Sequence, residues 1–187
     1  MPATVQVLHA GYADDRVAST VTLIRDGDAV IVVDPGMVAD RAVILAPLRD
    51  SGVAPEAVTD VVISHHHPDH TINIALFPNA RVHDVMATYQ RDVWTDHEEG
   101  DFAVSPSVRL VATPGHTDQD VTTVVDTAEG TVVLTHLWWS AEGPADDPFA
   151  ADRDVLRGSR ERVLAMGPVL VIPGHGQPFV PDASTPR

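Results

Sequence analysis

Four histidines and an aspartate stand within six consecutive residues of this chain. The run from 65 to 70 reads His-His-His-Pro-Asp-His and follows directly on the apolar segment Val58–Ser64. Neutral imidazole and carboxylate are the usual ligands of catalytic zinc and of related divalent ions. A cluster of this kind at the end of a buried strand is hard to explain as core packing or as ordinary surface, and it indicates a metal site.

The spacing of the cluster suggests which side chains could share an ion. If the backbone is extended, His65 and His67 face the same side and His66 points elsewhere. Asp69 and His70 follow the turn made by the proline and could face a neighbouring ion. Catalytic zinc needs about three protein ligands and an open position for water, so a distant histidine must complete the set.

Two further histidines stand in similar loops far along the chain. His116 and His175 each follow a Pro-Gly pair, directly after an apolar strand. Proline and glycine favour a tight turn, which would hold each imidazole on rigid backbone. Zinc lowers the pKa of bound water to about 7, so a metal-bound hydroxide would be available as the nucleophile. Asp69 would ligate an ion and use its free oxygen to orient that nucleophile or to move its proton.

The composition limits both the residue types that could bind a metal and the kinds of molecule that the protein could bind. The 187 residues include no cysteine, which excludes disulfides, thiolate zinc sites and cysteine nucleophiles. The formal net charge is −15, and all twelve basic residues are arginine. Such an acidic surface repels phosphate backbones and therefore disfavours nucleic acid as a partner. A small-molecule substrate is expected, and a homodimer is left open.

Length and patterning predict one domain over residues 1–187, with a full hydrophobic core. The first residues lack the basic and then apolar pattern of a signal peptide. No apolar run approaches the ~20 residues that a bilayer requires. A cytoplasmic protein without a membrane segment is therefore the expectation.

Apolar periodicity predicts alternating strands and helices, which is typical of a layered α/β architecture. The predicted strands are Thr4–His9, Thr20–Arg25, Ala29–Val33, Val58–Ser64, Ala80–His83, Val108–Ala112, Val121–Asp126, Thr131–Thr135 and Val169–Ile172. The predicted helices are Val38–Ser51, Thr71–Leu76 and Arg153–Met166. Segments 91–105 and 139–152 read as loops and as candidate pocket walls. Ligand sites gather at strand ends in such folds, so the polar clusters that follow these strands can converge.

Together these motifs resemble the metallo-β-lactamase-fold hydrolase superfamily. The H-x-H-x-D-H motif of that family stands at 65–70. Three further motifs of the family are present in the order expected for the family. They are Val33-Asp34-Pro35-Gly36, Pro114-Gly115-His116-Thr117 and Pro173-Gly174-His175-Gly176. The stretch Asp69–Pro78 is also similar to the small single-domain branch that contains metallo-β-lactamase domain-containing proteins. The resemblance covers nearly the whole chain.

The resemblance implies a four-layer αββα sandwich and a metal-dependent hydrolase. The first metal would take His65, His67 and His116, and the second would take Asp69, His70 and His175. Zn²⁺ is the expected cofactor, as one ion or two, with Fe or Mn left open. The expected substrate is a small ester, lactone, thioester or phosphoester.

One position departs from the family pattern. In most two-metal members a strand ends in Gly-Asp and this aspartate bridges the ions, whereas here the corresponding strand ends in Thr135-His136. Neutral imidazole offers one lone pair and cannot bridge two ions. His136 could ligate one ion, hydrogen-bond the bridging water, or leave the site mononuclear. We hypothesise an asymmetric site, with one tightly and one weakly held ion.

Asp34 and Asp120 are predicted to accept hydrogen bonds from ligand histidines and so to fix their tautomers. The alternative for each is a turn cap. Trp138 and Trp139 would face opposite ways in a strand, so one could contact substrate in the pocket while the other packs in the core. The alternative for either tryptophan is core or interface packing.

Two other functions stay open at this point. One is a mononuclear iron oxidoreductase of the same fold, similar to the persulfide dioxygenases. The other is a degenerate, non-enzymatic metal-binding protein. The identity of the bound metal, together with the presence or absence of oxygen uptake, would separate these readings.

Overall fold

The computed structural model describes residues 2–98 and 101–187, and its first sheet comes from the first half of the chain. The elements there are β1 (Thr4–His9), β2 (Tyr12–Ala13), β3 (Val17–Ala18), β4 (Val21–Asp26), β5 (Ala29–Val33), α1 (Ala42–Asp50), β6 (Asp60–Val62), α2 (Pro68–Thr71), β7 (Arg81–His83), β8 (Ala87–Gln90) and β9 (Val93–Asp96). The sheet order is β1-β4-β5-β6-β7-β8-β9, while β2 and β3 form a separate hairpin.

The second half of the chain forms the second sheet. Its elements are β10 (Phe102–Ser105), β11 (Val108–Ala112), β12 (Val121–Thr127), β13 (Gly130–Thr135), α3 (Arg153–Ala165) and β14 (Leu170–Pro173). The sheet order follows the chain order, from β10 to β14. Helix α3 begins after Asp152, whose carboxylate accepts hydrogen bonds from the backbone N–H groups of Asp154 and Val155.

The central strands are apolar on both faces because both faces are covered. In β5, Ile31 and Val33 pack in the core between the two sheets, whereas Val32 packs with Ile44 and Leu48 of α1. This alternation follows from the two-residue period of a strand. The continuously apolar run of β5 is thus explained by burial on two sides.

The second sheet repeats the arrangement on its own helix. Leu134 of β13 faces the core between the sheets, whereas Val133 packs with Leu156 and Val163 of α3. The layers therefore run α1, first sheet, second sheet, α3. This order confirms the αββα sandwich that the motifs imply.

The polar clusters follow strands that end at one edge of the sandwich. β5 and β6 are parallel neighbours, as are β13 and β14. Asp34, His65, His136 and His175 follow these four strands closely. β11 and β13 both run antiparallel to β12, so β11 ends at the same edge and delivers His116 there.

Some sequence-based boundaries hold at a sheet edge as well as inside a sheet. β1, β5 and β11 have the predicted bounds. The prediction of a loop at 91–105 is wrong, because this segment contains β9 and β10, with residues 99 and 100 outside the described part. The predicted helix Thr71–Leu76 is instead α2 followed by a 3₁₀ turn at Ile74–Leu76. Short edge elements carry too few residues for a periodic signal.

Within residues 2–98 and 101–187, no helix combines the length and apolar character needed to cross a bilayer.

Gly36 allows the loop after β5 to lie against the backbone of α2. A methyl group at this position would overlap the carbonyl oxygen of Asp69, which is backbone and cannot turn aside. We expect Gly36→Ala to lower the free energy of unfolding by about 1–3 kcal/mol, measured by denaturant titration.

Gly158→Ala is the control, because a methyl group on this residue of α3 would meet nothing within 4 Å. Alanine inside a helix should raise stability by about 0.5–1 kcal/mol. A Gly36→Ala protein as stable as the wild type would contradict the close approach of the two backbone segments.

Candidate metal centre

Three imidazole nitrogens from two separate loops converge on one point. His65 Nε2 lies 2.9 Å from His67 Nδ1, which in turn lies 3.1 Å from His116 Nε2. Lone pairs that face one another at these distances repel unless a proton or a cation lies between them. The structure thus brings together the three histidines predicted for the first metal.

Local backbone geometry explains the arrangement of the 65–70 run. His67 is extended and precedes α2, whose first residue is Pro68. Proline suits the first helical position because its missing N–H would have no partner there. His66 points away from the centre, with Nε2 2.8 Å from Asp84 Oδ2. His65 and His67 therefore face the centre and His66 faces away from it, in agreement with the alternation expected of an extended backbone.

A second group of donors lies beside the first. Asp69 Oδ2 is 3.4 Å from His70 Nε2 and 3.7 Å from His175 Nε2. His70 Nε2 is buried and makes no hydrogen bond within the described part of the chain. These are the three residues predicted for the second metal, and an orphaned buried nitrogen among them is what a missing ion would leave.

The outward nitrogens of three histidines are held by fixed acceptors. The pairs, each 2.8 Å apart, are His70 Nδ1 with Asp34 Oδ2, His116 Nδ1 with Asp147 Oδ2, and His175 Nδ1 with the carbonyl oxygen of Ala18. An acceptor at Nδ1 keeps the proton there and leaves the lone pair of Nε2 facing the centre. The tautomers are thereby set for metal binding.

Asp34 lies beside His70, one of the histidines predicted to bind metal. Its Oδ2 holds His70, and its Oδ1 accepts a 2.7 Å hydrogen bond from the backbone N–H of Ser64. Its backbone is left-handed, with a φ of 51°, a conformation that aspartate tolerates better than most residues. Asp34 therefore links the end of β5 to the histidine loop.

Asp120 takes its alternative role, that of a turn cap. Its Oδ2 accepts hydrogen bonds from the backbone N–H groups of His116 and Thr117, at 2.7 and 3.1 Å. The carboxylate on the His116 ring is Asp147 instead. Sequence reasoning missed this role because no spacing pattern connects Asp147 to a histidine 31 residues away.

His136 lies between the two donor groups. It belongs both to a group with His65 and His116 and to a group with His70 and His175, in each of which the ligand atoms lie within 4.8 Å of one another. Its Nε2 is 3.1 Å from His175 Nε2, and its buried Nδ1 has no partner among the described residues. With one lone pair, His136 can serve only one group at a time.

Burial keeps most of these rings neutral. Burial lowers the pKa of His65, His67, His136 and His175, and repulsion from neighbouring imidazoles lowers it further. A neutral imidazole can bind a cation without first losing a proton. These four rings are therefore ready to act as ligands at neutral pH.

His70 and Asp69 form the charged part of the centre. Burial lowers the pKa of His70, but the carboxylates of Asp34 and Asp69 outweigh it and raise that pKa to about 9. Burial raises the pKa of Asp69, but His70 outweighs it and lowers that pKa to about 2. An ion at Nε2 of His70 would therefore bind in competition with a proton.

The donor set fits a divalent cation. It consists of inward-facing imidazoles and one ionised carboxylate, with two buried nitrogens that have no partner in the described residues. Imidazole and carboxylate are ligands for zinc, and equally for iron or manganese.

A cavity of about 400 Å³ opens onto both donor groups. Trp139 lines it together with Val17 and Phe149. Trp138 does not, because its side chain is fully buried in the core under α3 and its Nε1 donates to the carbonyl of Pro186. Of the two predicted substrate-contacting tryptophans, we therefore keep only Trp139.

The fold is that of the metallo-β-lactamase superfamily, and the chain belongs to this family. A profile described as the metallo-beta-lactamase superfamily matches residues 14–89. Metallo-beta-lactamase domain-containing protein 1 of Xenopus laevis is 35% identical over 197 residues, covering 95% of this chain and 82% of the relative. The protein of the same name from Homo sapiens is 40% identical over 172 residues, covering 84% of this chain and 62% of the relative.

Solved structures support the fold. A candidate metallo-beta-lactamase from Thermotoga maritima superposes with a TM-score of 0.75 at 20% identity, covering 97% of this chain and 100% of the other. An N-acyl homoserine lactone hydrolase superposes with a TM-score of 0.67 at 19% identity, covering 93% and 92%. At these identities the likeness concerns the fold.

Changing His136 to aspartate tests the asymmetry of the centre. We expect the wild-type protein, purified without added metal, to retain about one tightly held equivalent, because a single imidazole lone pair serves one ion. His136→Asp supplies two carboxylate oxygens and should retain about two equivalents, measured by plasma mass spectrometry.

His136→Asn is the matched control, since it has the shape of aspartate without the charge. It should not gain a second equivalent. Two tightly held equivalents in the wild-type protein would contradict the asymmetry, as would an unchanged stoichiometry in His136→Asp.

Proposed function

We propose that this chain is a metal-dependent hydrolase, with zinc as the expected ion, that cleaves a small uncharged ester, lactone or thioester. The observation that carries the proposal is the convergence of His65 Nε2, His67 Nδ1 and His116 Nε2, with 2.9 and 3.1 Å between neighbouring nitrogens, beside an open cavity. Three imidazoles with an open position are the ligand pattern of catalytic zinc, whereas structural zinc sites are closed.

The two donor groups divide the binding of ions between them. His65, His67 and His116 would hold the first ion, and the weaker site would use Asp69, His70 and His175. An ion held by His65, His67 and His116 would lower the pKa of water to about 7, which would supply a nucleophile at neutral pH, and would polarise the substrate carbonyl.

Asp69 is the residue placed to handle the proton of the reaction. It lines the cavity, and its low pKa of about 2 keeps it ionised. Its carboxylate can accept a hydrogen bond from the attacking water and orient that water toward the carbonyl carbon. As the carbon–oxygen bond of an ester breaks, the proton that leaves the water passes through this carboxylate to the departing alkoxide.

The lining of the cavity favours an uncharged substrate. Its apolar part is Val17, Trp139 and Phe149, and its formally charged side chains, Asp14 and Asp69, are both acidic. Among the described residues, no arginine lines this cavity. A phosphate or carboxylate group would find no guanidinium partner there and would meet like charge. We therefore give the phosphoester the lowest rank among the expected substrates.

The lactone hydrolase of the same fold supports the inclusion of a lactone among the first substrates to test. Its likeness to this chain is confined to the fold, so the substrate proposal depends on the cavity. The cytoplasmic location and the homodimer remain predictions that these contacts do not address.

A pair of histidine variants tests the proposed activity. We expect His67→Ala to lower kcat/KM for an uncharged nitrophenyl ester on the order of a thousandfold, because metal stabilisation of the transition state is worth several kcal/mol. His66→Ala should retain wild-type activity, since His66 is adjacent in sequence but its ring bonds Asp84. The assay follows nitrophenolate release with zinc, manganese or iron supplied.

A phosphodiester with the same nitrophenolate leaving group tests the substrate class. We expect the ester to be hydrolysed faster, because only the phosphodiester brings negative charge to the acidic lining. Preferred cleavage of the phosphodiester would contradict the uncharged-substrate proposal.

Equal activity in His67→Ala and His66→Ala would contradict the proposed site. Oxygen uptake with bound iron and no hydrolysis would replace the hydrolase with the oxidoreductase alternative.

A further inference from the structure

We infer that Asp147 couples the metal centre to the apolar wall of the substrate cavity, acting as a positioning residue for both. This inference rests on the proposed function to the extent that it assumes an ion on His116. It adds a specific link between the ion and the surface that would receive the substrate.

Both carboxylate oxygens of Asp147 are engaged at the site. Oδ2 accepts hydrogen bonds from His116 Nδ1 and from Trp139 Nε1, each at 2.8 Å. Oδ1 accepts a 2.9 Å hydrogen bond from the backbone N–H of Phe149. Asp147 is only 2% exposed, so water does not compete with these donors. One buried side chain thus holds a predicted metal ligand and both aromatic residues of the cavity wall.

The aromatic wall lies directly beside His116. The rings of Trp139 and Phe149 have centroids 5.9 Å apart and planes inclined by 31°. The Phe149 ring is 5.3 Å from the His116 ring, although Phe149 as a whole is 61% exposed. An exposed aromatic ring kept in place beside a metal ligand offers an apolar contact surface to a substrate.

The backbone beneath this wall is fixed independently. Arg160 of α3 is fully buried and donates to the carbonyl oxygens of Leu137, Pro144 and Ala145. The backbone N–H of His175 donates to the carbonyl of Trp139 at 2.8 Å. With the backbone held in this way, the hydrogen bonds of Asp147 give a change at His116 a route to the wall, beside the direct ring contacts of His116 with Trp139 and Phe149.

The coupling follows from the shared oxygen. An ion at Nε2 of His116 draws electron density from the ring and strengthens Nδ1–H as a donor to Asp147. A stronger bond from His116 fixes the position of the Asp147 carboxylate, and the same oxygen positions the Trp139 indole. Coupling of this kind is reciprocal, so an apolar group bound against Trp139 should in turn favour the ion-bound arrangement of His116.

Tryptophan fluorescence provides a readout that does not depend on activity. The chain has three tryptophans, of which Trp94 is 59% exposed on β9 and Trp138 is buried in the core. We expect Zn²⁺ added to chelator-treated, tag-free protein to change the fluorescence. Trp139→Phe keeps an aromatic ring but removes the N–H donor, and most of the change should be lost in this variant.

Asp147→Asn tests the carboxylate itself. The single amide oxygen cannot serve all the donors, and the amide nitrogen would face a donor. We expect Zn²⁺ affinity to fall by about 10–100-fold, the usual range for losing a partner of a ligand histidine, and the fluorescence response to disappear. Asp146→Asn is the matched control, since Asp146 is the adjacent aspartate with an exposed side chain. It should bind Zn²⁺ as the wild type does.

Wild-type Zn²⁺ affinity in Asp147→Asn would overturn the coupling, as would a fluorescence change that persists in Trp139→Phe. Either result would leave the proposed function intact if the wild-type protein binds Zn²⁺. A wild-type protein that binds no Zn²⁺ would instead contradict the proposed function. If Asp147→Asn does not fold, the Zn²⁺ affinity of Trp139→Phe decides: reciprocal coupling through the shared oxygen predicts that loss of the indole donor changes this affinity, and an unchanged affinity would overturn the coupling.

Discussion

The site depends on one electrostatic constraint, namely that imidazole nitrogens facing each other across about 3 Å repel unless a proton or a cation lies between them. His65, His67 and His116 meet in this way at distances of 2.9 and 3.1 Å. Burial lowers the pKa of His65 and His67, so their own protonation is disfavoured as a source of positive charge. A divalent cation supplies it and gains ligands whose desolvation occurred when the protein folded.

The two-sheet architecture allows these histidines to converge in a chain of 187 residues. Parallel β5 and β6 in one sheet, and parallel β13 and β14 in the other, end at one edge of the sandwich. The hydrophobic core between the sheets fixes the position of these strand ends relative to one another. The ligand loops are then fixed to each other by buried polar contacts, of which Asp34 and Asp147 are the best defined.

Much of this arrangement could be predicted from local patterns. The His-x-His-x-Asp-His run and the two Pro-Gly-His loops lie directly after apolar strands, and strand ends are where such sites form. Asp147 could not be predicted, because its partners His116 and Trp139 reach it only after α3 and the loop before it have packed. Alternation predicted that Trp138 and Trp139 face opposite sides, but which one faces the cavity depends on the position of the second sheet relative to α3.

His136 marks where this chain differs from its family, and it limits how much positive charge the centre can stabilise. The most direct test of the whole account is anomalous diffraction at the zinc edge from crystals grown with Zn²⁺. We expect a peak about 2.0–2.1 Å from His65 Nε2, His67 Nδ1 and His116 Nε2, with a weaker peak or none beside His70 and His175. The absence of a peak among the first three histidines would contradict it.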